Sequence, residues 1–223
     1  MQQLPATDLR QNVLTLAVPA ERLPGVGRMM RSLLPAEEYD PDFQGQYLQT
    51  TYLDTNTLAL RKARLKKDKY CTARIRCYAP IQQPGRNYPE GIYALSIKTE
   101  EGKWRTPLES WVAEDALTKA NALQVLHDLV PGDLLARLFD LCGDEPLLPA
   151  VTVCFTRYAV ESSTDRLTLD CGIITSNGKV FPTNVLEVKT TTKPYEAPPD
   201  VLAWHFSPIK LSKFLWATTY GVR

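Results

Sequence analysis

A closed antiparallel barrel of eight strands, with helices packed outside it, is the fold predicted by three observations on this 223-residue sequence. First, eight short segments alternate apolar and polar residues, which is typical of half-buried strands. Second, turn residues separate these segments at short intervals, as they do in antiparallel sheets. Third, one internal stretch changes to the period of amphipathic helices, so the predicted class is α+β. A barrel of this size has room inside for side chains or one small ligand.

The strands can be placed in order from their alternating patterns. The clearest lies at 70–78, where Arg74 and Arg76 share one face with two tyrosines, and small apolar residues occupy the other face. The other strands are predicted at 13–18, 47–54, 93–100, 103–107, 150–160, 165–173 and 184–190. The turn Glu101-Gly102 joins the fourth strand to the fifth, which predicts a hairpin.

Helices are expected on the outside of the barrel. They are predicted at 20–34 (irregular), 56–66 (helix or turn), 114–142, and from Ser212 to about Tyr220. Leucines at helical spacing in the third segment predict two amphipathic helices divided at Pro131-Gly132. This helical insertion is expected to span about 111–143. The whole chain, 1–223, is expected to form a single domain.

The charge of the chain is nearly balanced. It contains 26 Lys and Arg residues and 25 Asp and Glu residues, which gives a net charge of +1. A chain with so small a net charge has no global positive field that would draw it to nucleic acid or to a membrane. Nucleic acid is therefore not an expected partner, and any anion site must come from local segregation of charge.

Cysteine usage and the lack of targeting signals predict a cytoplasmic protein. The five cysteines include no Cys-x-x-Cys pair, and most lie in apolar strand patterns, where free cysteine packs as a small hydrophobe. No signal peptide opens the chain, and no apolar stretch is long enough to cross a bilayer. A membrane-protein partner is left open. His127 and His205 have no partners at metal-ligand spacing, so structural roles are expected for them.

Basic residues gather on the predicted inner faces of the strands. They are Arg74, Arg76, Lys98, Lys103, Arg105, Arg157, Arg166 and Lys189, with Lys210 and Lys213 close to the last helix. Burying an unpaired charge is unfavourable by several kcal/mol. Three acids on the same faces, Glu100, Asp170 and Glu187, are too few to balance these cations. A bound polyanion would balance them, because Arg pairs with phosphate oxygens bidentately and Lys supplies a compact positive charge.

The acids have several possible roles. Glu187 is the strongest candidate metal ligand, because Mg²⁺ and Mn²⁺ prefer carboxylate oxygen, and Asp170 and Glu100 are weaker candidates. A cross-strand salt-bridge ladder explains Glu187 and Lys189 equally well. A single Arg on a strand is more often part of a solvated sheet face than of a binding site. Asp54 is expected to cap a helix or turn.

Eight short motifs follow one another along most of the chain, roughly from Tyr47 to Phe214. They lie at 51–55, 73–78, 96–98, 103–105, 156–158, 165–170, 185–189 and 208–214. Together and in this order they resemble the motifs of the VTC domain, a polyphosphate polymerase domain of the triphosphate tunnel metalloenzyme (CYTH-like) superfamily. Each motif by itself is a weak signal, and it is the ordered set that makes the resemblance specific.

This resemblance implies a tunnel-shaped barrel and assigns roles to its basic residues. The implied catalytic residues are Arg74, Arg76, Lys98, Arg157, Arg166 and Lys213. The implied substrate-binding residues are Lys103, Arg105, Lys189 and Lys210. Glu187 would hold Mn²⁺ or Mg²⁺. The expected reaction transfers the γ-phosphoryl group of ATP to a growing polyphosphate chain, so ATP, triphosphate and polyphosphate are the expected ligands.

One departure from the family pattern bears on activity. The first strand of the superfamily usually carries charges, whereas 11–18 carries none, and Thr15 stands where a Lys is expected. Whether Glu100 or Asp170 replaces the missing charges is left open. Three alternatives to polyphosphate synthesis therefore remain. They are an inorganic triphosphatase, a non-catalytic module that binds polyphosphate or nucleotide, and a barrel whose charges pair internally.

Overall fold

A single antiparallel sheet of eight strands organises the chain. The computed structural model describes residues 12–37, 40–66, 69–79, 92–190, 206–210 and 212–221. The strands are β1 (Asn12–Val18), β2 (Gln46–Asp54), β3 (Cys71–Ala79), β4 (Ile92–Thr99), β5 (Lys103–Leu108), β6 (Leu148–Glu161), β7 (Asp165–Thr175) and β8 (Asn184–Thr190). Their order in the sheet is β1-β8-β7-β6-β2-β3-β4-β5. All eight predicted strands are confirmed, each to within two residues at its ends.

Six α-helices accompany the sheet in the described residues. They are α1 (Leu23–Leu33), α2 (Ala59–Lys66), α3 (Ser110–Thr118), α4 (Ala122–Leu126), α5 (Gly132–Cys142) and α6 (Lys213–Tyr220). Between β5 and β6 the chain forms three helices where two were predicted. The additional break occurs at Asn121, whose side-chain oxygen accepts a hydrogen bond from the Leu123 amide at 3.0 Å and starts a new helix. No helix among the described residues is long and apolar enough to span a membrane.

The alternating strand pattern separates a core face from a polar face. On β3, the core face consists of Cys71, Ala73, Ile75 and Cys77, all of them buried among residues of the helices. Leu167 and Leu169 on β7 take the same role in a second cluster, together with residues of α1. Because neighbouring side chains point to opposite faces of a strand, the basic residues of β3 and β7 lie on the other face.

The predicted closure of the barrel is not confirmed. Within the described residues, no backbone pairing joins β1 to β5, which are the two ends of the sheet. A later segment takes the outer edge of β1 instead. The Ala17 amide donates to the Ser207 carbonyl at 3.0 Å, and the Ile209 amide donates to the Thr15 carbonyl at 2.9 Å. These hydrogen bonds occupy backbone groups that a closed barrel would use to pair the end strands.

Asp54 caps the start of α2, as its sequence context predicts. One of its carboxylate oxygens accepts from the amides of Thr55 and Leu60, both at 2.8 Å, and the other accepts from the Arg61 amide at 3.0 Å. The side chain is fully buried. Its carboxylate therefore satisfies amides that the first turn of a helix leaves without a backbone partner.

Replacing Asp54 with Ala is expected to lower the free energy of unfolding by roughly 1–3 kcal/mol, because buried amides then lose their acceptor. Urea unfolding followed by circular dichroism measures the change. The matched control is Asp128→Ala, since this carboxylate is exposed. An unchanged midpoint in the Asp54 variant would contradict the capping role.

Candidate functional site

The sheet brings the predicted basic residues of its strands to one face. In the register of β3 and β4, Thr72 lies opposite Lys98, so Arg74 and Arg76 share the face of Lys98. Lys98 in turn lies opposite Lys103 at the start of β5. The same alternation continues this face through β2 to β6, β7 and β8.

Charges on strands that are far apart in the sheet order influence one another across this face. This indicates that the sheet curves and that the face is concave. Lys103 on β5 is influenced by the charge of Lys189 on β8. Lys98 on β4 is influenced by Glu187, also on β8. The two halves of the sheet therefore face each other across a cavity. Helix α6 covers one end of this cavity, where the ring of Phe214 packs against that of Tyr52 with centroids 5.3 Å apart.

One side of the cavity carries positive charge without matching acids. We call it the basic wall, and it consists of Arg74, Arg76, Lys98, Lys103 and Arg105 on β3, β4 and β5. Among the described residues, no carboxylate lies within ion-pair distance of any of them. Like charges held together in this way repel one another, and a bound anion would relieve the repulsion.

Aromatic rings and a hydroxyl group hold the guanidinium groups of Arg76 and Arg105 in the basic wall. The buried Arg76 donates from its Nε to the Thr50 hydroxyl at 2.8 Å. Its guanidinium carbon lies 5.7 Å from the ring centroids of both Tyr78 and Phe155. The guanidinium carbon of Arg105 lies 4.8 Å from the same Tyr78 ring. These contacts fix the direction of the guanidinium groups before any ligand arrives.

The crowding of charge changes the acidity of these groups. Burial, followed by repulsion from Arg74, lowers the pKa of Arg76 to about 10. Burial alone would raise the pKa of Tyr78, but the positive charges of Arg76 and Arg105 outweigh it and lower that pKa to about 8. Burial and then neighbouring cations, Arg74 first among them, lower the pKa of Lys103 to about 6. The Lys103 side chain is exposed, so its amine can take up a proton when negative charge binds beside it.

Binding of a polyanion is expected to charge Lys103. Negative charge beside the amine restores its ordinary pKa of 10.5, so binding between pH 7 and 9 takes up roughly one proton at this group. Calorimetric titration with tripolyphosphate in two buffers of different ionisation enthalpy measures the uptake. In Lys103→Met, which has no amine, the uptake should fall by the contribution of Lys103. Equal uptake in both proteins would contradict this assignment.

The opposite side of the cavity carries charges that are paired. We call it the paired wall, and it consists of Arg157, Asp170, Glu187, Lys189 and Lys213 on β6, β7, β8 and α6. Arg157 donates to both oxygens of Asp170, at 2.6 and 2.8 Å. The Lys213 ammonium lies 2.7 Å from Asp170 and 3.4 Å from Glu187. Lys189 lies 3.5 Å from the other oxygen of Glu187.

These ion pairs keep both carboxylates ionised. Burial would raise the pKa of Asp170, but Arg157 and Lys213 outweigh it and hold that pKa well below its usual range. Burial would likewise raise the pKa of Glu187, but Lys213 and Lys189 outweigh it and lower that pKa to about 2. The negative charges of the paired wall are thus permanent at physiological pH and are balanced by its own cations.

The residues present do not fit the resident Mg²⁺ or Mn²⁺ that the resemblance implied at Glu187. No group of three or more acidic, histidine or cysteine side chains suited to a metal ion occurs in the described part of the chain. Each of the four carboxylate oxygens of Asp170 and Glu187 already contacts a cationic nitrogen. Glu100 does not supply the missing acid, because it pairs with Arg137 on α5, away from the basic residues of the cavity.

Of the other predicted site residues, Arg166 lies on the cavity face opposite Lys189, whereas Lys210 lies at the edge of the sheet. Arg166 pairs with Glu37 and lies 3.6 Å from Glu161, so acids already surround its guanidinium. Lys210 follows the segment that borders β1, and its side chain is exposed. Thr15 lies opposite Glu187 in the register, so β1 adds no charge at this point, as its sequence suggested. The catalytic and binding roles of these residues remain predictions.

Sequence reasoning missed several residues that shape the site. Glu37 has no motif around it, and only the folded chain shows that it is buried against Arg166. Thr50 and Phe155 lie on predicted strands, and the alternation of those strands would have placed them beside the cations. Neither side chain is charged, so the pattern of charges along the strands does not reveal them.

No protein-family model matches the chain, and no curated protein matches it. Solved structures do match. A candidate adenylate cyclase from Bacillus halodurans is 17% identical, and the match covers 91% of this chain and 93% of that one, with a TM-score of 0.55. A candidate adenylyl cyclase from Hippeastrum with a dominant triphosphatase activity is 14% identical, with 96% and 97% of the chains covered and a TM-score of 0.55.

At these identities the likeness concerns the fold alone. The eight-stranded antiparallel sheet with its accompanying helices is shared over nearly the whole length of the chains. This supports the α+β class that the sequence predicted, while neither closure of the barrel into a tunnel nor the assignment to the VTC branch is confirmed. The chain is thus similar in fold to candidate adenylate cyclases, and it carries a cavity with one basic wall and one wall whose charges form ion pairs.

Proposed function

We propose that this protein binds a triphosphate or polyphosphate in the cavity and transfers its terminal phosphoryl group. The acceptor that the sequence motifs favour is a growing polyphosphate chain, with ATP as the donor. The observation that carries the proposal is the basic wall, whose five basic side chains have no carboxylate partner among the described residues. A chain of phosphate groups supplies the negative charge and the closely spaced oxygens that these side chains can pair with.

The division between the two walls supports this reading against internal pairing of all charges. A barrel stabilised only by internal ion pairs would distribute its acids among all of its cations. Here the acids are concentrated on the paired wall, where Arg157, Lys189 and Lys213 use them. The basic wall therefore has the arrangement expected of a site whose negative charge is supplied by a bound ligand.

Phosphoryl transfer requires positioning and charge stabilisation more than covalent chemistry. Arg76 is held by Thr50 and by two aromatic rings, so its guanidinium needs little reordering when phosphate oxygens arrive. Arg74 and Arg105 add further positive charge near the same Tyr78 ring. In this mechanism, the basic wall binds the donor phosphates and stabilises the negative charge that develops on the transferred group.

Incubation with ATP in the presence of Mg²⁺ or Mn²⁺, followed by gel analysis of acid-labile phosphate chains, tests the proposal. Chains are expected from the wild-type protein and not from Arg74→Met, which removes one charge of the basic wall. Arg31→Met is the matched control, because Arg31 is exposed on α1 and should leave chain synthesis unchanged. Equal behaviour of wild type and Arg74→Met, with no product from either, would count against catalysis.

Hydrolysis is the second candidate function. The similar Hippeastrum protein is described by a dominant triphosphatase activity, and water would then replace the phosphate chain as acceptor. Release of orthophosphate from tripolyphosphate without chain growth would select this function. Binding of tripolyphosphate with no turnover would instead identify a non-catalytic binding module, which the uncharged inner face of β1 favours.

A further inference from the structure

The ammonium group of Lys213 lies between the two carboxylates of the paired wall. Its Nζ is 2.7 Å from Asp170 Oδ2 and 3.4 Å from Glu187 Oε1, and the side chain is only 10% exposed. The two acids come from different strands, β7 and β8. Two converging carboxylates with a cation between them are the arrangement in which a divalent metal ion is usually held.

The backbone places this ammonium where helix energetics alone would disfavour it. Lys213 is the first residue of α6, and positive charge at the N-terminus of a helix is unfavourable. Ser212 nevertheless starts the helix here, since its side chain accepts from the Leu215 amide at 3.3 Å. Phe214 then anchors the helix against Tyr52. The position of Lys213 is thus fixed by its neighbours, and Asp170 and Glu187 offset the charge.

We infer that the Lys213 ammonium takes the place of a divalent cation between Asp170 and Glu187, so that the protein holds no resident metal ion there. Lys213 is in this view a built-in counter-ion that orients the two acids and leaves substrate binding to the basic wall. The inference rests on the proposed function only in assigning substrate to that wall. It assigns Lys213 a role different from the catalytic, phosphate-gripping one that the sequence motif suggested, which stays a prediction.

A second observation indicates what removal of the ammonium would leave behind. The Thr168 hydroxyl is fully buried and has no hydrogen-bond partner among the described residues. Thr168 lies directly opposite Glu187 in the register and on the same face. Without Lys213, two carboxylates and one hydroxyl group would surround a single position. All three are oxygen ligands of the kind that Mn²⁺ and Mg²⁺ accept.

Manganese binding in the absence of any phosphate tests the inference. Titration of Mn²⁺, with the free ion followed by electron paramagnetic resonance, should show no stoichiometric binding to the wild-type protein. Lys213→Met, which keeps the length of the side chain but removes its charge, should bind Mn²⁺ roughly tenfold more tightly or better. Adding Glu187→Gln to that variant should abolish the gain, whereas Lys103→Met on the basic wall should produce none.

Two results would overturn the inference. One is stoichiometric binding of Mn²⁺ by the wild-type protein that Glu187→Gln removes, since a resident metal would then coexist with Lys213. The other is a folded Lys213→Met protein with no gain in affinity. Thermal melting shows whether each variant is folded. If Lys213→Met is unfolded, Lys213→Gln replaces it in the same Mn²⁺ titration. Metal-free titration of tripolyphosphate into the same proteins tests the proposed function separately.

Discussion

Replacing Arg76 with Met is expected to weaken tripolyphosphate binding roughly 10- to 150-fold, because each charge-assisted hydrogen bond contributes about 1.5–3 kcal/mol. Met preserves much of the packing against the rings of Tyr78 and Phe155 while removing the guanidinium. The loss should appear in calorimetric titrations at constant ionic strength. The free protein should retain or gain stability, because one source of repulsion on the basic wall disappears.

Two further variants separate the charge of Arg76 from its orientation. Thr50→Val keeps the guanidinium but removes the hydroxyl that accepts its Nε hydrogen bond, so a smaller loss of affinity is expected. Arg31→Met removes an exposed charge outside the cavity and should leave the affinity unchanged. If Arg76→Met and Arg31→Met bound tripolyphosphate equally well, the basic wall would not be the anion site.

Replacing Asp170 with Asn is expected to destabilise the protein by about 3–5 kcal/mol. The carboxylate is fully buried and balances Arg157 and Lys213, whose side chains are only 11% and 10% exposed. Asn has the same shape but no charge, so two buried cations would lose their partner. Urea unfolding at neutral pH measures the difference in the free energy of unfolding.

The pH dependence of this difference has a defined sign. The pKa of Asp170 is depressed in the folded protein, so its contribution is complete above the ordinary aspartate value of 3.8 and is lost as the pH falls towards the folded value. The difference in the free energy of unfolding between wild type and Asp170→Asn should therefore decrease as the pH falls. Asp165→Asn, on the same strand, is the control. A difference in the free energy of unfolding that stays constant down to pH 2 would refute the ion-pair explanation.

The strands and their faces were predictable because they depend on local alternation. Side chains alternate along a strand with a period of two residues. This places Arg74 and Arg76 on the same side of β3, independently of the rest of the chain. Each strand could be read in this way without knowing its neighbours. The helical insertion was visible for the same reason, although the break at Asn121 was not, since a single capping side chain decides it.

The pairing of charges was not predictable, because it depends on which strands become neighbours. Arg157 faces Asp170 through the hairpin of β6 and β7, and a register shift between Cys154 and Thr156 adjusts that alignment. Lys213 reaches the same acid from a segment more than forty residues later. No local pattern distinguishes a carboxylate that binds metal from one that binds ammonium. The open sheet was equally hidden, since it depends on where 207–209 lies.

The backbone pairing of 207–209 with β1 also bears on aggregation. An uncovered edge strand presents unpaired amides and carbonyls to which another chain can add. Here the Thr15 carbonyl and the Ala17 amide are occupied by Ile209 and Ser207, a few residues before the helix that carries Lys213. Displacing this segment would thus expose a sheet edge and disturb the placement of Lys213 in the cavity, so protection from self-association and assembly of the site depend on the same short stretch of chain.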